Sequence, residues 1–186
     1  MKLKINSWYP HILIAFDQAT QSSGYSVWDK DTKKLLDYGL LKVTGANSTK
    51  RINKIKHEIM DLYNELTTTG IEVSFAFEDI QYQSDKENEH SGGVSFGKSI
   101  NYAMNNVKTF KSLAWLQGVL FDMCQELNIS YDVIFSSTWK SFCKIKGQSR
   151  NIQKQNSIDF SRTVFGVEVS SDEADAICLG WTVLNK

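Results

Sequence analysis

His11-Ile12-Leu13-Ile14-Ala15-Phe16-Asp17 is the stretch on which the reading of this chain turns. Five apolar residues in succession, halted by an acid, make a strand buried on both faces that delivers a carboxylate to one end of a sheet. Working outward, Gly24–Trp28 and Lys34–Val43 read as two further strands joined by the turn Asp29-Lys30-Asp31. Ile52, Ile55, Ile59, Leu62 and Leu66 recur at helical spacing, with Thr49 placed to cap that helix and Gly70 to end it. Val73–Phe77 is another short apolar strand, and it too stops at an acid, Glu78. A helix between two strands is what a parallel pairing of the first and fourth strands requires.

Beyond Glu78 the chain turns polar from Gln81 to about Asn106, and this stretch reads as a mobile loop. Val107–Leu127 reads as a helix whose apolar residues cover more than one face, Ser130–Phe135 as a fifth strand, and Ser137–Phe142 and Ser149–Val164 as helices. A last helix runs from Ser171 to Leu184. The order predicts an α/β fold, a mixed five-stranded sheet flanked by helices, in a single domain over residues 1–186.

Composition bounds the function. The 21 Lys and Arg balance 21 Asp and Glu, so a polycation that coats nucleic acid wholesale is excluded while a local basic surface is not. There is no apolar run long enough for a membrane helix and no signal-peptide core in Met1–Pro10. Cys124, Cys143 and Cys178 are far apart and odd in number, which fits buried thiols in a reducing cytoplasm rather than a zinc site.

Four acids carry the chemical argument. Asp17 and Glu78 end strands at the sheet's carboxyl edge, where α/β sites gather. Asp172 and Asp175 lie three apart at the start of the final helix and share one face, with Ser170 or Ser171 available as its cap. Acids in a first helical turn are ordinary in isolation, because they suit the helix dipole. As an ordered set with the two strand-ending acids they match what phosphodiester hydrolysis needs: hard oxygen ligands for two divalent ions, Mg²⁺ with Mn²⁺ as substitute.

Lys140, Lys144, Lys146, Arg150 and Lys154 place five cations in 15 residues with no acid among them, a phosphate-binding surface in an otherwise neutral protein. Lys98, Lys108 and Lys111 extend it. The helix over 107–127, with Trp115, Leu116 and Phe121, is apolar around too much of its circumference for one sheet face. It is read as a homodimer interface, the alternative being cover by the C-terminal helix.

Ile12–Asp17 followed by Thr20 and Ser23-Gly24-Tyr25 resembles the first motif of RuvC-type Holliday-junction resolvases, members of the RNase H-like nucleases. Phe75-Ala76-Phe77-Glu78-Asp79 resembles their second motif, and Ser171-Asp172-Glu173-Ala174-Asp175-Ala176 their closing helix. The resemblance implies an RNase H-like fold and a homodimeric, Mg²⁺-dependent endonuclease that nicks two strands of a four-way DNA junction. It implies Asp17, Glu78, Asp172 and Asp175 as catalytic metal ligands and Lys140 as a catalytic and DNA-contacting lysine. Arg150 or Lys154 stands for the family's second basic residue. Gln18-Ala19 replaces the Pro-Gly of bacterial members, and the spacing is closer to phage- and virus-encoded ones. Tyr82 stands near the place of the aromatic that wedges into the junction. The same chemistry also serves nucleases for forks, flaps or RNA–DNA hybrids, and a silent junction-binding dimer is a further alternative that the intact acids disfavour. An actin-like kinase is excluded by length and by the lack of glycine over Gln18–Ser23.

Overall fold

The computed structural model describes residues 9–81 and 96–186, the first eight of the latter by backbone alone. Strands β1 (His11–Asp17), β2 (Ser22–Asp29), β3 (Leu35–Lys42), β4 (Glu72–Glu78) and β5 (Tyr131–Ile134) form one sheet in the order β3-β2-β1-β4-β5. β1 to β3 are an antiparallel meander, and β4 and β5 add parallel to β1. The sheet is thus mixed and five-stranded, as the order of elements predicts. Helix α1 (Ser48–Thr68) makes the β3–β4 crossover and α2 (Phe96–Glu126) the β4–β5 crossover. Then follow α3 (Ser136–Phe142), α4 (Arg150–Phe165) and α5 (Ser171–Asn185).

Alternation along the strands splits the core into two layers. Ile12, Ile14, Phe16, Phe75 and Phe77 pack with α1 and α2 on one face. Leu13, Ala15, Trp28, Ala76 and Ile134 pack with α3 and α5 on the other. Each fully buried Ile, Leu or Phe in these layers contributes roughly 1.5–3 kcal/mol.

Several boundaries move. Asn47, not Thr49, caps α1, its side chain accepting from the Lys50 amide at 2.9 Å; Gly70 follows the end of α1 with φ of +81°. The stretch expected as a loop over 81–106 is partly helical, since α2 begins at Phe96. Polar residues there, among them Lys98, Ser99, Asn101, Asn105 and Asn106, break the apolar period by which a helix is read from sequence. Tyr82 lies outside the described residues. Leu116 is fully buried and Phe121 half-buried against Phe77 and Tyr131, so these two serve the core rather than a second surface. α5 lies across the opposite face of the sheet and does not cover α2. What remains outward on α2 is Met104, Val107 and Trp115, each about half exposed (53%, 50% and 50%). Among the described residues no helix is long and apolar enough to cross a membrane.

Candidate active site

The carboxyl ends of β1 and β4 are adjacent because the two strands pair in parallel, Phe16 opposite Phe77. Asp17 and Glu78, one residue further on, therefore stand side by side at the same sheet edge. α5 brings the other two acids, and the seating of that helix is written into alternate residues of β2. Gly24 pairs directly with Asp17. A Cβ on Gly24 would fall 1.9 Å from the backbone oxygen of Asp172, so only glycine lets the first turn of α5 lie this close to the sheet. Two residues on, the Ser26 hydroxyl donates to the Ala176 carbonyl at 2.7 Å. Two further, the indole of Trp28 donates to Ser26 at 2.8 Å and packs where any side chain at Gly180 would collide with it. Gly24, Ser26 and Trp28 thus fix both the depth and the rotation of α5. At its start, the Glu173 carboxylate accepts from the Ser170 amide at 2.7 Å, half of a capping box. Glu173 is thus a capping residue.

The four carboxylates share one electrostatic field. Asp17 is pushed well above the usual carboxylate range, first by burial and then by the charges of Asp175, Glu78 and Asp172. Burial also raises Glu78 and Asp175; Asp175 repels Glu78, and Asp172 repels Asp175. Cations answer them. Lys154 Nζ lies 3.1 Å from Asp172 Oδ1 and favours ionisation of Asp17 and Asp175. Lys140 does the same for Glu78 and Asp175, and Arg150 for Glu78. Of the five cations in the basic run, Lys140, Arg150 and Lys154 therefore face the acids. Lys144 and Lys146 are exposed, and Lys144 adopts a left-handed backbone (φ +57°) just past α3.

Three neighbours with no functional signature in the sequence stand against the acids. Trp139 Nε1 donates to Glu78 Oε2 at 2.7 Å, and Gln117 donates to the Glu78 carbonyl at 3.0 Å. The fully buried Ser157, whose hydroxyl donates to the Gln153 carbonyl at 3.2 Å, lies beside Asp175 and favours its ionised form. A tryptophan beside a lysine reads in sequence as packing, and a serine on a helix as solvent-facing; only the tertiary fold turns both toward the acids.

Among the described residues, no three acid, histidine or cysteine side chains stand ready as a closed metal shell. In chemistry the donors fit a hard divalent cation: several carboxylates, three of them destabilised when ionised, so that a cation among them is favoured.

No family model matches the chain, and no curated protein matches it in sequence. Solved structures do match its fold. RuvC of Thermus thermophilus in complex with a Holliday-junction substrate superposes with a TM-score of 0.61 at 13% identity, over 92% of this chain and 91% of that one. The T. thermophilus RuvC structure alone gives 0.59 at 14% identity, over 92% of each chain. The yeast mitochondrial Holliday-junction resolvase Ydc2 gives 0.51 at 12%, over 92% of this chain and 77% of that one. Across nearly its whole length, the chain has the RNase H-like fold of the RuvC-type resolvases.

Proposed function

We propose that this protein is a divalent-metal-dependent endonuclease that nicks branched DNA, with the four-way junction as its preferred substrate. The observation that carries the reading is the convergence of four acids from β1, β4 and α5 on one edge, faced by three cations from α3 and α4. The same fold in a RuvC bound to a Holliday junction supports the choice of substrate.

Asp17, Glu78, Asp172 and Asp175 would hold Mg²⁺, two ions per site, with Mn²⁺ as substitute. Bound there, the metal stabilises negative charge on the attacking and leaving oxygens of a phosphodiester. The chain's own residues do the rest. Trp139 fixes the Glu78 carboxylate, so it does not reorganise when substrate arrives, and Ser157 favours the ionised form of Asp175. Lys140, Arg150 and Lys154 would contact the phosphates flanking the scissile bond, and Lys140, whose charge acts on both Glu78 and Asp175, would be the catalytic lysine. Lys144 and Lys146 extend the phosphate track outward, and Tyr82 is the junction wedge.

A homodimer through α2 completes the reading. Met104, Val107 and Trp115 form an apolar stripe on its outer side, with Lys111 Nζ 4.8 Å from the Trp115 ring. An isologous pair of sites matches the two equivalent strands of a junction. The test is cleavage of matched substrates, a synthetic four-way junction, a fork, an RNA–DNA hybrid and a linear duplex, with Mg²⁺ and with chelator. Paired nicks across the junction are expected. Equal cutting of all four would replace junction resolution with a structure-tolerant nuclease, and no cutting would end the proposal.

A further inference from the structure

Between Asp132 and Asp159 the chain carries five cations and not one acid. Within the same stretch it exposes two large aromatics. Phe135 is 49% exposed and Phe142 41%, while Trp139 between them is buried. They bracket α3. Phe135 is the N-cap and Phe142 the last residue, about 10 Å apart along a seven-residue helix, close to the rise of three stacked nucleotides. Between them Ser137, Thr138 and Ser141 line a surface concavity that Phe142 closes at one side.

The position ties this surface to the candidate active site. Ile134 pairs with Glu78 and accepts from the Asp79 amide at 2.9 Å, and Phe135 is the next residue. The inner side of α3 carries Trp139, bonded to Glu78, and Lys140, whose ammonium lies 5.2 Å from the Trp139 ring. One short helix thus fixes a proposed metal ligand with its buried side and presents aromatics and hydroxyls with its open side, the exposed Lys144 and Lys146 following just past its end. Exposed aromatics interleaved with cations are the physical signature of a surface for unpaired nucleotides: rings stack on bases while the cations track the backbone. Duplex DNA hides its base faces and makes no use of such rings.

We infer that Phe135, Phe142 and the face of α3 between them form a stacking subsite for unpaired nucleotides of a DNA strand. The subsite selects substrates opened at a branch point over continuous duplex. This rests on the nuclease reading above and adds to it a determinant of specificity next to Glu78 on the β5–α3 side.

The variants are Phe135→Ala, Phe142→Ala and the conservative Phe135→Trp, all at exposed positions outside the proposed machinery. The probes are an oligothymidylate, a linear duplex, and a four-way junction with 2-aminopurine at the branch. Each alanine is expected to weaken oligothymidylate binding about tenfold and to relieve quenching of the 2-aminopurine. Duplex binding and the salt slope should stay unchanged, since no phosphate contact is lost, and Phe135→Trp should restore stacking. Junction cleavage by the unmodified protein, measured alongside, separates the two ideas. If it cuts while both alanine variants bind like wild type, the subsite is wrong and the nuclease stands. If the unmodified protein binds no DNA, both fall. If the alanines instead change the sedimentation coefficient without affecting oligothymidylate binding, the face is a protein interface and the inference is overturned.

Discussion

Asp17 concentrates the tension in this molecule. Its carboxylate is half-buried and repelled by the charges of three others, so ionising it costs native stability. The sign follows directly: its folded pKa lies above the unfolded value. Stability is therefore greatest below the usual carboxylate range and is lost as pH rises through the raised folded value. In chelator near neutral pH, Asp17→Asn should melt higher than wild type, by about 2–4 °C for each kcal/mol of repulsion removed. Mg²⁺ should raise the melting temperature of wild type well beyond that of the variant. Equal melting curves with and without Mg²⁺ in both proteins would show that the four acids are not ligands. The cations make a separate, measurable contribution. Lys140→Ala, Arg150→Ala and Lys154→Ala should each reduce the slope of log affinity against log salt by roughly one unit, as loss of one phosphate contact does. Three unchanged slopes would place DNA on another surface. Lys154→Ala should also leave Asp172 without its ion-pair partner.

At the level of elements, α5 is the part on which the site depends. Its depth is set at Gly24, where the obstacle to any larger residue is the Asp172 backbone, which cannot swing aside as a side chain can. Gly24→Ala should therefore displace the first turn of α5, costing about 1–3 kcal/mol in stability. The loss in cleavage rate should be on the order of 100-fold, because displacements near 1 Å are costly at a reacting centre. A Gly24→Ala protein that cuts at the wild-type rate would show that the α5 acids do not act at this edge. Much of this was legible before any coordinates. Apolar runs ending in Asp17 and Glu78 determined two strand ends, and the helical period of Ile52 to Leu66 determined α1. The Asp172–Asp175 spacing set their shared face. What stayed hidden was tertiary. Trp139 and Ser157 look like packing and surface in one dimension, and Asn47 outcompeted Thr49 as a cap because the helix begins two residues sooner. The first turns of α2 were invisible because local polarity, not an absent helix, broke the apolar period.

Over the whole molecule, the sheet divides its labour by face: α1 and α2 on one side, α3 to α5 and most of the chemistry on the other. α2 then has an outer side with no cover among the described elements, the stripe of Met104, Val107 and Trp115. If this is the dimer seam, Val107→Glu with Trp115→Glu should convert the protein to a monomer at micromolar concentration with little change in melting temperature, since neither side chain serves the core. Sedimentation of wild type as a single 21.2 kDa species, with and without junction DNA, would contradict it. Such a monomer would nick one strand at a time and leave junctions unresolved.

The most direct test of the central claim is a single gel on a labelled four-way junction, with wild type and Asp17→Asn, in Mg²⁺ and in chelator. The account predicts paired nicks across the branch by wild type in Mg²⁺ alone. It predicts that Asp17→Asn binds the junction with undiminished affinity and does not cut it, because binding comes from the cations and chemistry from the carboxylates. Cutting by Asp17→Asn at the wild-type rate, or by wild type in chelator, would contradict it.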